Sequence, residues 1–195
     1  MATDGPERLV KAALVRLSAE RSLAIDKVDA PNAAGLYAVH GTPVAWAALG
    51  LGPPPNVRPL YVGKAEDSLA ARDVRTHFET GRTGSSTLRR SLAALLADQL
   101  DLVAMPRNPA RPGYFSNYGL ELEGDARLTA WMRAHLTLAV WPAPPGTGLA
   151  MVEGALITKL SPPLNLAGVL TPWSSTLSMA RARMAAAARR WPNRG

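Results

Sequence analysis

Two hydrophobic periods alternate along this chain. Leu9, Val10, Ala13, Leu14 and Leu17 fall on one helical stripe, with Arg8, Lys11, Arg16 and Glu20 elsewhere, which predicts an amphipathic helix over 7–23. Pro31-Asn32 interrupts that pattern, and short unbroken apolar runs follow at 35–40 (GLYAVH), 44–49 and 60–62 (LYV). These read as strands, the first two joined as a hairpin through Gly41-Thr42-Pro43, the third reached through the proline-rich loop 50–58. Gly63 lets the backbone leave its strand, and Asp67 or Ser68 can cap the helix after it. Further on, the pattern predicts a helix over 88–100 behind the polar stretch 81–87, a helix from Asp125 to His135 with Asp125 as its cap, a strand over 136–141 and a helix carrying Glu153. A last Ala-rich helix opens after Pro172.

The fold class expected is therefore α/β, a small mixed and largely antiparallel sheet flanked by helices, with extra helices at both ends. The chain divides into a helical extension (1–30), a central domain with insertions (31–168) and a basic C-terminal helix (169–195).

Composition narrows the function. With 195 residues and 47% hydrophobic content the chain can bury one core. It has no cysteine, which excludes disulfides, thiolate metal sites and cysteine nucleophiles. The N-terminal segment is charged throughout rather than basic and then apolar, and no apolar run reaches membrane-spanning length, so a cytoplasmic protein without a membrane partner is expected. A net charge of +7 favours a polyanion, with nucleic acid as the first partner to consider.

The candidate chemistry gathers where the strand 60–62 turns into its helix. Tyr61, Lys64, Arg72 or Arg75, and His77 bring a phenol, an ammonium, a guanidinium and an imidazole to one junction, a set suited to a phosphodiester. A second anion site is suggested by the helix start at Ser86 with Arg82, Arg89 and Arg90 around it. Tyr114, Phe115 and Tyr118 in the irregular stretch 102–119 could stack bases, although core packing is the commoner use of such residues. Arg181, Arg183, Arg189 and Arg190 give the last helix a basic character that could track a phosphate backbone without specificity.

The order of these pieces carries a resemblance. Gly35-Leu36-Tyr37 opens one strand and Tyr61-Val62-Gly63 another. The Arg-bearing helix follows, and Glu153 begins the pattern E-x-x-L-I-x-x-x-x-P-x-x-N that ends at Asn165. In this the chain resembles the GIY-YIG nuclease superfamily, with GLY in place of GIY. The resemblance implies a phosphodiester hydrolase, an endonuclease acting on DNA in preference to RNA, with one Mg²⁺ or Mn²⁺ held by Glu153. It further implies Tyr37 as the base that activates water and Tyr61 as its partner. Arg72 would be the phosphate clamp in preference to Arg75, and Asn165 would brace the loop behind the Glu helix. Lys64 is expected to help deprotonate the phenol, and His77 enters as a catalytic candidate whose register departs from the family spacing. The alternative reading is a module of the same fold that binds nucleic acid without cutting it.

Overall fold

The computed structural model describes residues 5–54, 58–70 and 76–192. Its centre is a four-stranded antiparallel sheet in the order β1 (Leu23–Ala24), β6 (Leu136–Pro142), β2 (Gly35–Gly41), β3 (Tyr61–Ala65). β2 lies between β6 and β3, with Tyr37 opposite Val140 on one side and Gly63 on the other. Six of its seven residues are buried, which is why it reads as an apolar run rather than an alternation. A two-stranded ribbon of β4 (Ala104–Met105) and β5 (Gly119–Leu120) lies within the stretch expected to be irregular.

Each face of the sheet is covered by helices. Leu36, Ala38, Val62, Ala139 and Trp141 point to one side, where they meet Ala13 and Leu17 of the N-terminal region and Val152, Leu156 and Ile157 of α5 (Leu149–Leu160). The N-terminal helix is α1 (Pro6–Arg16), shorter than the sequence suggests, because the chain turns at Leu17 to reach β1. Tyr37, Val39 and Leu138 face the other way, into a larger core. There they meet α2 (Pro43–Ala48), α3 (Thr87–Leu95), α4 (Leu122–His135) and α6 (Ser174–Arg189).

Three expectations are corrected here. The run 44–49 is helix and not the second strand of a hairpin: the Thr42 hydroxyl accepts from the Ala45 N–H at 3.2 Å, and Pro43 takes the first helical position. Asp125 lies inside α4, which begins at Leu122, and does not cap it. The basic C-terminal helix is no appended tail, since Leu177, Ala180, Met184 and Ala188 are buried in the larger core. Among the described residues no helix is long and apolar enough to cross a membrane.

Candidate active site

The backbone register places the two motif tyrosines side by side. Tyr37 and Tyr61 stand on the same face of adjacent strands, their ring centroids 6.1 Å apart. The glycines of both motifs are there to let this happen. A Cβ at Gly63 would lie 2.5 Å from both Cζ and Oη of Tyr37, so the phenol ring rests directly on the bare backbone. At Gly35 a Cβ would meet the Trp141 carbonyl oxygen at 2.3 Å, which would push β2 away from β6.

Behind Tyr37 runs a buried hydrogen-bond chain. The Tyr37 hydroxyl and His77 Nε2 are 2.5 Å apart, and His77 Nδ1 is 2.6 Å from the Ser86 hydroxyl. His77 and Ser86 are fully buried and Tyr37 nearly so. Ser86 caps α3, its oxygen accepting the Arg89 backbone N–H at 3.0 Å. His77 thus bridges the Tyr37 and Ser86 hydroxyls through its two ring nitrogens.

The rest of this support is made by Arg89. Its guanidinium donates to the His77 carbonyl at 3.0 Å, to Thr83 Oγ1 at 3.1 Å and to Thr129 Oγ1 at 2.8 Å, and it pairs with Asp125. Burial pushes its pKa below the usual arginine value, a tendency that the Asp125 carboxylate opposes. Arg89 is completely buried, so the expected contact with a nucleic-acid phosphate is corrected: the residue ties α3, α4 and the His77 backbone together. Ser86 is likewise turned inward. Arg90, expected on the same surface, is buried as well, donating to the Gly84 carbonyl and to Thr87 Oγ1. Arg82 remains exposed, 3.6 Å from Glu79. Arg72 and Arg75 lie outside the described residues.

In front of Tyr37 the sheet edge opens into a cavity of about 510 Å³, lined by Tyr37, Tyr61, Lys64, Glu66, Asp67, Ser68, Thr76 and Glu153 among others. Lys64 projects from β3 and pairs with the exposed Glu66 at 2.7 Å. That hydrogen bond is the main influence raising its pKa, and the Glu153 carboxylate adds to it. Glu153 is half-buried on α5, one residue beyond the buried Val152, so the helix packs its apolar side on the sheet and turns the carboxylate to the cleft. Asn165 fastens α5 and the following turn to the strand. Its Oδ1 accepts the Val62 N–H at 2.9 Å and its Nδ2 donates to the Val62 carbonyl at 2.8 Å, while the Leu164 N–H reaches the Leu60 carbonyl at 3.0 Å.

Tyr37, Tyr61, Lys64 and Glu153 thus line one cleft, with His77 behind Tyr37 and Asn165 bracing the strand. Sequence reasoning missed Asp125 and Thr83 as supports of this arrangement. The signal available was a buried-helix arginine needing a carboxylate, and its partner lies 36 residues away.

Comparison with known proteins gives one match. A family model described as the GIY-YIG catalytic domain covers residues 55–183, about two thirds of the chain, from just before the second tyrosine motif into α6. No curated protein and no solved structure matches significantly.

Proposed function

The chain belongs to the GIY-YIG catalytic domain family, whose function is of the nuclease type, and on that premise we propose that it hydrolyses phosphodiester bonds of DNA with Tyr37 as the base. The observation that carries this reading is the chain Ser86–His77–Tyr37 ending at the cleft that Glu153 also lines. A phenol of ordinary acidity is a poor base at neutral pH. In the reading proposed, Ser86 donates to His77 Nδ1 and the ring proton sits on Nε2, where a donor held on the phenolic oxygen favours the phenolate, the form able to accept a proton. His77 is then a positioning residue that acts through Tyr37.

In the reaction proposed, water gives its proton to the Tyr37 oxygen as its own oxygen forms the new bond to phosphorus. The bond from phosphorus to the leaving sugar oxygen breaks, and that oxygen takes a proton from solvent. Tyr61, beside Tyr37, orients the attacking water, and Lys64 faces the phosphate charge from β3. Arg72 is retained as the phosphate clamp in preference to Arg75, on its distance from Tyr61 in sequence.

The residues also fit a hard divalent ion. Glu153 offers a carboxylate to an open cleft furnished with oxygen donors. Glu153 would hold Mg²⁺ or Mn²⁺, with water and substrate oxygens as the remaining ligands. Bound there, the ion supplies charge stabilisation for the phosphoryl and leaving oxygens.

The test is cleavage of labelled single-stranded DNA, duplex DNA and RNA with Mg²⁺ or Mn²⁺ by the wild type, Glu153→Ala and Tyr37→Phe. Metal-dependent cutting of DNA, reduced by about a hundredfold or more in both variants, is expected. Binding without cutting, unaffected by Glu153→Ala, would replace the hydrolase with a binding module of this fold.

A further inference from the structure

The cleft does not end at Glu153. A second cavity of about 480 Å³ shares Tyr61 and Glu153 with the first. Lys64 lines only the first, whereas Thr87 and Arg181 line only the second. A polymer with one phosphate between Tyr37 and Glu153 would therefore carry its next residue into the second space.

Among the described residues, the cation lining that space is the Arg181 guanidinium. Arg181, from α6, is half-buried and makes no ion pair among the described residues. Burial brings the Arg90 pKa down to about 10, and the like charges of Arg181 and, less, Arg107 add to that. The Arg90 Nε, itself buried, has no hydrogen-bond partner among the described residues. Glu153 is the one carboxylate lining the cavity, and it faces the first cavity as well. Arg181 is the cation lining this cavity, and with Glu153 shared between the two spaces it favours an anion between the helices. Small residues, Ala150, Gly154, Ala167 and Gly168, leave room along the wall for a sugar–phosphate chain.

We propose that Arg181, with Thr87 at the start of α3, holds the phosphate next to the scissile one on the same strand, making α6 a substrate-binding element. The proposal rests on the nuclease reading for its polymer and extends that site by one nucleotide.

Binding of fluorescently labelled DNA, single-stranded and duplex, is measured by anisotropy over a salt series in the presence of a chelator, so that no cutting enters. Arg181→Gln is expected to weaken binding by about three- to tenfold and to lower the salt slope by about 1. Arg181→Met should do the same while keeping the apolar stem, and Arg181→Lys should restore the slope. Arg183→Gln, exposed on the same helix, should bind as the wild type does. In competition assays the Arg181→Gln loss should appear with a trinucleotide, which has two diesters, and vanish with a dinucleotide, which has one.

Wild-type affinity and slope in both Arg181→Gln and Arg181→Met overturn the proposal, as does an equal loss in Arg183→Gln. An equal loss with the dinucleotide moves Arg181 to the scissile phosphate and overturns the assignment to its neighbour. A chain that shows the Arg181 effect but never cuts loses the hydrolase and keeps the subsite. One that cuts while Arg181→Gln binds normally loses the subsite alone.

Discussion

Replacing Gly63 by alanine tests the seating of Tyr37 with the smallest change available. The added Cβ would stand 2.5 Å from Tyr37 Cζ and Oη and 2.9 Å from Tyr61 Cε1, where ordinary contacts begin near 3.4 Å. The ring must give way by about 1 Å, and it is enclosed, with Tyr37 only 1% exposed and its hydroxyl 2.5 Å from His77. Alanine in place of glycine in a strand gains roughly 0.5–1 kcal/mol, while overpacking of this kind costs about 1–3 kcal/mol. A net loss of about 1–2 kcal/mol is expected in urea unfolding monitored by tryptophan fluorescence. Activity should suffer far more, since a misplacement of about 1 Å can cost on the order of a hundredfold in rate. The assay is single-turnover cleavage of the best substrate at saturating enzyme. Wild-type stability together with cleavage within about threefold of wild type would refute the packing argument. Lost stability with an unchanged rate would leave the packing intact and remove Tyr37 from the chemistry.

The hydroxyl of Ser86 is separable from its cap. Ser86→Gly keeps most of the capping, at a cost of a few tenths of a kcal/mol, but removes the hydroxyl bonded to His77. The acid limb of the kcat/KM profile should then move up by about one pH unit, the worth of one hydrogen bond to the phenolate, and an unmoved limb would show that His77 needs no such partner. His40 sets a stability window. Burial is the main influence lowering its pKa below 6.5, opposed by the hydrogen bond from Nε2–H to the Leu17 carbonyl, so the unfolded chain binds a proton first. Stability should be full above about pH 6.5 and fall as pH drops toward the folded-state value. Urea unfolding of the wild type against His40→Leu checks this, because the variant should lose that slope while remaining sensitive to other groups.

Much of this site was legible because its determinants are short in sequence. Gly35-Leu36-Tyr37 and Tyr61-Val62-Gly63 are each three residues long, and in the fold the bare Gly63 backbone receives the Tyr37 ring while Gly35 admits the Trp141 carbonyl. The helix turn after Glu153 was equally readable, since Asn165 acts on a strand through its own amide. What failed did so for stated reasons. The run 44–49 is apolar throughout and too short for periodicity to decide, yet Thr42-Pro43 is a helix start, and that signal should have prevailed. Arg89 and Arg90 look solvated in sequence because nothing near them says otherwise, and only the fold brings Asp125 and Gly84 to them. Ser86 does cap α3, as its position suggests, but its hydroxyl meets His77 rather than a phosphate. In sequence the helix of Arg181 reads only as a basic surface for phosphates without specificity, and its place at the cleft appears once the chain has closed around both faces of the sheet.

The pairing of Asn165 with Val62 has a consequence for how copies of this protein meet. β3 is an outer strand, and such a strand normally offers a row of unpaired amides and carbonyls to any extended chain that passes. Here the Leu164 backbone and the Asn165 side chain take up the outward groups of Leu60 and Val62, as a neighbouring strand would. Strand addition is thereby blocked at this part of the rim, beside the cleft. A second molecule adding to the sheet is directed to the opposite rim at β1, which leaves the cleft accessible in any assembly formed that way.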